Sequence, residues 1–281
     1  MEGTNFAETV IRKRLSRFRK CLRRASEGAG EKEIHDLRVA IRRLLAGLSV
    51  IASLNEKKIS AAGPRNRLQA LMDPLGKLRD AQVKMLWLIK EVPVGDDPTY
   101  QYALSVACDL EKWRKRVLAE LGNVDPARFT IVFAPGSFPA IPTSALCNIA
   151  ASLLRKKRQD VESLREKAAV ESDAESLHRL RLAFKQYRYC AEIFTPLFPQ
   201  VTGETLERLH AFQTLLGDLH DFDTILTDAE YFLTSVIRCQ GDHAVLTRFR
   251  KLRHEEFLKL TPILSRPDGL AKHVFGGELA L

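Results

Sequence analysis

Residues 34–51 read IHDLRVAIRRLLAGLSVI, and residues 177–194 read LHRLRLAFKQYRYCAEIF. Set against each other without a gap, the two stretches share His35/His178, Leu37/Leu180, Arg38/Arg181 and Ala40/Ala183. Other positions are like for like, among them Arg42/Lys185 and Ile41/Phe184. A second match follows downstream, LGKLRD at 75–80 against LGDLHD at 216–221, at an offset of 141 where the first match has 143. Two matches in the same order and nearly the same register imply a duplicated unit.

On a helical wheel at about 100° per residue, His35, Arg38 and Arg42 fall within an arc of about 60°. Ile34, Leu37, Ile41, Leu44, Leu48 and Ile51 form a separate apolar arc centred roughly 120° away. The second copy repeats the pattern, with His178, Arg181, Lys185 and Arg188 beside Leu177, Leu180, Phe184, Tyr187 and Phe194. Each basic stripe borders the core face instead of opposing it, so it addresses a neighbouring groove more readily than open solvent. Ile11, Leu15, Phe18 and Leu22 give the first helix one apolar face. Arg12, Arg19 and Arg23 flank that face, and Arg158 and Arg165 flank the face of a later helix. The four stripes are placed to form one basic channel or cleft.

Outward from the repeat, helical periodicity continues through 31–54, 64–91 and 98–121, with breaks at Gly63-Pro64 and between Pro93 and Pro98. Pro74 predicts a kink or a late start in the third helix. GNVDPARFTIVFAPGSFPAIP (122–142) carries four prolines and two glycines, which exclude a continuous helix. It reads as a linker whose apolar character lets it pack along a surface. Periodicity resumes at 143–170, 173–198, 203–240 and 242–260. The expected fold is therefore all-α, two tandem antiparallel four-helix bundles at 1–121 and 143–281.

The chain of 281 residues is 45% hydrophobic and 28% charged, a globular balance, and has no run of about 18 apolar residues to cross a membrane. Its N-terminus runs into Arg12, Lys13 and Arg14 without an apolar signal core. Five dispersed cysteines with no CxxC pair argue against a disulfide framework or zinc knuckle and suit a reducing cytoplasm, the expected location. Lys and Arg outnumber Asp and Glu by 44 to 35, a net +9, and residues 10–24 hold eight basic residues and no acid. Such runs are often only solvated helix faces; here the repeat gives them a direction.

The stretch H-x-x-R-V-x-x-R-R from His35 to Arg43, H-x-L-R-x-x-x-K-x-x-R-Y from His178 to Tyr189, and LG-x-x-RD from Leu75 to Asp80 resemble the motifs of the CHAD family, the conserved histidine α-helical domain. The resemblance spans essentially the whole chain. It implies two pseudo-symmetric four-helix bundles around a central basic, histidine-bearing pore that binds long-chain inorganic polyphosphate without known catalysis. Carried onto this sequence, the binding candidates are His35, Arg38, Arg42, Arg43, His178, Arg181, Lys185 and Arg188, joined by Arg12, Arg19, Arg158 and Arg165 of the flanking stripes. Leu45 stands where the first motif usually has another Arg, Gln186 weakens the second basic pair, and Glu192 neutralises part of the arc one turn after Arg188. The ExExK strand of the triphosphate-processing domain often fused to this family is absent.

Other readings of the same residues carry less. His35 and His178 also suit core-edge positions bonded to a neighbouring helix; as ligand contacts, partial protonation near pH 6.5 would add charge. Asp80 and Asp221 are expected to orient a basic residue of the stripe through a buried ion pair. His210, His220-Asp221 and Asp223 offer the residue types of a metal-dependent phosphohydrolase, but His220 stands where the first copy has Arg79, so drift within LG-x-x-(R/H)-D explains it better. No role is assigned to His243, His254 or His273, and neither a cofactor motif nor a catalytic triad is visible. Aromatic residues are only 7% of the chain and seldom interleave with the basic runs, which argues against nucleic acid. A scaffold coating a storage granule is a third reading, favoured by any exposed apolar patch.

Overall fold

A computed structural model of the chain describes residues 3–54, 62–92, 96–129, 142–199, 201–241 and 243–275. The fold is all-α. Its helices are α1 (Gly3–Gly28), α2 (Glu31–Leu54), α3 (Ala62–Glu91), α4 (Asp97–Gly122), α5 (Thr143–Glu162), α6 (Arg165–Ala168), α7 (Ala174–Phe194), α8 (Gly203–Tyr231) and α9 (Ala244–Leu264). Short helical turns follow at Pro126–Phe129, Thr195–Leu197, Phe232–Val236 and Ala271–Phe275. No strand occurs among the described residues. By contacts the chain divides into two compact units, Met1–Gln82 with Cys108–Ala150 and Val83–Ala107 with Ala151–Leu281. Helices α3, α4 and α5 therefore each give one segment to each unit.

The first unit is built on α1 and α2, which pack along their length. The apolar spacings do what amphipathic helices require: Ile11, Phe18, Ile34, Leu37, Ile41 and Leu44 are fully buried in one core. Phe129, from the stretch read as a linker, sits in this core edge-on to Phe18 with ring centroids 5.0 Å apart. The rest of that stretch, 130–141, lies outside the described residues.

Helix α3 runs unbroken from Ala62 through Pro74, so the late start suggested by Pro74 does not occur. Pro64 lies in its first turn, where a missing N–H costs nothing. Leu68, Leu71, Leu75 and Leu78 are buried along one face. At roughly 1.5–3 kcal/mol per buried leucine, that face outweighs the ~3 kcal/mol cost of an internal proline.

In the second unit α8 and α9 pack around Phe222, Ile225, Val245 and Phe249, joined by Leu88 of α3 and by Tyr102 and Val106 of α4, and α7 packs against α8. Asp173 caps α7 by accepting from the Ser176 N–H at 2.9 Å, and Thr202 caps α8 through the Thr205 N–H at 3.3 Å. Helix α9 has no cap of its own. Asp96 accepts from the Ala244 N–H at 3.1 Å and from the Thr99 N–H at 2.8 Å, so one carboxylate closes the starts of both α9 and α4. The helix expected over 143–170 breaks after Glu162 and resumes as α6, whose buried Arg165 reaches the last carbonyl of α9.

Candidate functional site

The sequence of α7 fixes its two faces. Leu177, Leu180, Phe184 and Tyr187 are buried, with Phe184 edge-on to Phe212 of α8 at 4.7 Å. This packing sets His178, Arg181 and Lys185, at i, i+3 and i+7, along the border toward α8. His178 Nδ1 lies 3.3 Å from His220 Nδ1, with the rings 4.8 Å apart and tilted by 41°. One imidazole must present N–H and the other a lone pair, so the two tautomers are coupled. Burial pushes His220 down to about 3, helped by the charges of Arg181, His178 and Lys185. His178 is lowered too, by burial and then by Arg181 and Lys185. Both cations of the stripe thus act on the imidazole pair.

The pair opens into a groove of about 640 Å³, also lined by Lys84, Glu175, Asp223 and Asp228. The carboxylates are engaged by other groups. Asp228 accepts from Lys84 Nζ at 2.7 Å and from the Tyr102 hydroxyl at 3.0 Å. Asp223 holds Arg253, and Glu175 holds Arg179. Burial together with Asp228 keeps the Tyr102 hydroxyl protonated, far above the usual tyrosine range.

In the first unit the counterpart residues form a different arrangement. Desolvation of the His35 ring, then the charges of Arg79 and Arg42, lower its pKa although the residue is exposed. Arg79 of α3 donates to Glu31 of α2 at 2.7 Å and is itself mostly buried. Arg38 reaches across to the Met72 carbonyl at 3.4 Å, with its guanidinium against Gly76, where any Cβ would come within 3.0 Å of it. Glycine at 76 lets the basic stripe of α2 lie on the backbone of α3. The Arg43 carbonyl accepts from Arg14 at 2.7 Å.

The remaining candidates are scattered among other tasks. Arg188 is buried, bonded to Gln213 at 2.6 Å, paired with Glu192 and stacked near Tyr189. Arg165 is buried on the Leu264 carbonyl at 2.6 Å, which satisfies the C-terminal end of α9. Arg158 lies over the Phe275 ring at 4.6 Å and pairs with Glu162 at 3.5 Å. Arg12 is exposed and paired with Glu8, and Arg19 is exposed. Asp80 is exposed, not in a buried ion pair: it points about 100° away from Arg79, whose anchor is Glu31. Asp221 is half-buried.

One further expectation changes. All three histidines are harder to charge than a free imidazole, His220 most of all, because burial and neighbouring cations disfavour the imidazolium. The residues of the hydrolase reading do not assemble: His210 is exposed ten positions from His220, about 15 Å along α8. Among the described residues no three His, Cys, Asp or Glu side chains come together as metal ligands. Arg79 and His220 emerge as the groups acting on the two histidines, a pairing already implicit in LGKLRD against LGDLHD. Lys84 stands outside both repeated stretches, and nothing in the sequence marked it.

Among the described residues no helix is long and apolar enough to cross a membrane. A family model described as the CHAD domain matches residues 9–227. The crystal structure of the CHAD domain from the plant Ricinus communis is similar in fold, with a TM-score of 0.60 and 16% identity, covering 98% of this chain and 92% of that one. No curated protein matches the sequence.

Proposed function

The chain belongs to the CHAD domain family, and on that premise we propose that it binds long-chain inorganic polyphosphate, without catalysis, through the basic histidine-bearing stripes of its two halves. The observation that carries this reading is the convergence of Arg181 and Lys185 on the His178–His220 pair at the edge of an open groove. The groove's own acids are engaged by Lys84, Arg253 and Arg179, so they do little to oppose an incoming anion. Guanidinium groups engage two phosphate oxygens at once and keep their charge when partly desolvated. Neutral imidazoles add N–H donors.

Polyphosphate suits such a place because it is thin and baseless, with about one charge per phosphate. Duplex DNA is too wide for a groove of this size, and single strands carry bases that call for aromatic partners. Hydrolysis finds little support: His220, held near 3, is too weak a base to activate water at neutral pH. The test is calorimetric titration with long-chain polyphosphate, triphosphate and single-stranded DNA of matched charge at two salt concentrations. Tightest binding of the long polyphosphate, weakening steeply with salt, is expected; a preference for DNA, or metal-dependent release of orthophosphate, would overturn the reading.

A further inference from the structure

The surplus positive charge is not shared along the chain. Residues 10–24 contribute eight basic residues and no acid, and subtracting this +8 from the net +9 leaves +1 for everything else. Helix α1, with Glu8 and Glu27 near its ends, carries +6 of the net +9, and its middle carries no acid at all. Its apolar face is buried through Ile11, Leu15, Phe18 and Leu22. On the opposite side Lys13, Arg17, Lys20 and Arg24 fall within an arc of about 60°, in a row about 16 Å long. All four are exposed.

What surrounds this row sets it apart. Arg17 pairs with Asp36 at 3.2 Å, but among the described residues Lys13, Lys20 and Arg24 have no carboxylate within 4 Å. On other helices an exposed cation commonly has an acid one turn away: Lys77 with Asp73, Lys115 with Glu111, Arg116 with Glu120, Lys251 with Glu255. In the middle of α1 the residue one turn away is often another cation, as in Lys13–Arg17, Arg19–Arg23 and Lys20–Arg24, with acids only toward its ends at Glu8 and Glu27. Like charges at that spacing weaken a helix. The row works against the stability of α1, so its charge calls for a use outside the fold.

We propose that the outward face of α1 is a docking strip on which a long polyphosphate chain lands, built from residues none of which line the histidine groove. The identity of the ligand rests on the function proposed above; the strip itself rests on the charge distribution. A linear chain with about one charge per phosphate matches a single row of cations. The α1 aromatics Phe6 and Phe18 are both buried, so the face offers no stacking platform for bases. Concentrated in one place, the charge steers a polyanion from a distance and captures it before the histidine groove engages.

The experiment compares the full chain with its Lys13→Gln/Lys20→Gln/Arg24→Gln variant, by stopped-flow association and by affinity for long-chain polyphosphate over a salt series. Loss of three contacts should lower the slope of log K against log salt by about two, by analogy with single-stranded nucleic acids. Association at low salt should slow by roughly tenfold. The variant's melting temperature should hold or rise, because like-charge pairs are removed. An unchanged slope and rate overturns the strip while leaving the groove reading intact. A loss seen for duplex DNA but not for polyphosphate overturns it by assigning the face to nucleic acid. A wild-type chain that does not bind polyphosphate overturns both proposals.

Discussion

In the first unit the charge of Arg79 acts on His35, whereas in the second the residue at Arg79's repeat position is His220, in contact with His178. The frame is the same, a histidine helix beside an LG-x-x-(R/H)-D helix, but the chemistry diverges. Arg79 is a fixed cation steadied by Glu31. Extending the first alignment back by three residues sets Glu31 against Ala174, so no carboxylate stands at that repeat position in the second unit. An uncharged imidazole needs no such anchor. One position thus yields a permanent charge in one half and, in the other, a hydrogen-bonded imidazole pair whose charging is disfavoured by burial and by Arg181 and Lys185.

The largest expected effect tests what the halves share. Replacing Arg38 and Arg181 together by Ala should weaken polyphosphate binding by about a hundredfold or more, at ~1.5–3 kcal/mol per charge-assisted contact. Lys57 and Lys58, which lie outside the described residues, serve as the control pair. Titration calorimetry decides it, and equal losses from both pairs would reduce the stripes to solvated charge.

The next prediction converts one half into the other. His220→Arg alone should cost about 1–2 kcal/mol of stability, because it sets a third cation beside Arg181 and Lys185. Adding Ala174→Glu should recover about 1 kcal/mol, measured as the coupling in a double-mutant cycle of urea unfolding. Additive effects would mean that Glu31 does not explain why Arg79 is tolerated.

Acid should act on both halves, since His35 is lowered too, but His220 adds a second group in the second half. His178 and His220 bind protons less readily folded than unfolded, so the unfolded chain takes up more protons below about pH 6.5. Stability is then complete above that value and is lost as pH falls from 6.5 toward 3, with about 1–2 kcal/mol gone by pH 5 after allowance for the partial exposure of the pair. Unfolding titrations at pH 7.5, 6 and 5 should show this slope in wild type and a shallower one in His220→Asn. A slope unchanged by His220→Asn would place its origin elsewhere.

The smallest effect concerns the two glycines of the repeat. Nothing lies within 4 Å of a Cβ built at Gly217, whereas one at Gly76 meets the Arg38 guanidinium. Gly217→Ala should raise stability by ~0.5–1 kcal/mol, the ordinary gain in a helix interior. Gly76→Ala should gain less and should weaken polyphosphate binding by displacing Arg38.

The helices and their buried faces were legible because period and offset are properties of the chain itself: Ile34, Leu37, Ile41 and Leu44 all lie where the wheel puts them. Arg165 and Arg188 show where that reading stops. A wheel tells that a residue borders the core, but not whether the neighbouring helix end or side chain there already binds it, as the Leu264 carbonyl and Gln213 do. The histidine pair was half legible. The alignment set His220 at Arg79's position, yet only packing brings it to His178. The split of α3 and α4 between two units left no local mark, since Leu88, Tyr102 and Val106 look like any other apolar residues of a helix.

That split has a consequence for how the chain is made. The start of α9 is closed by Asp96, 148 residues earlier than Ala244, and Asp228 waits for Lys84 across 144 residues. The core of α1 and α2 is available early in synthesis, but Leu88, Tyr102 and Val106 meet Phe222 and Phe249 only after the last long helix has left the ribosome. At about 5–20 residues per second, those side chains stay uncovered for roughly ten to thirty seconds. For most of that interval the nascent protein holds its first core while the apolar residues at the end of α3 and the start of α4 stay unprotected, the form in which chaperones and aggregation compete for it.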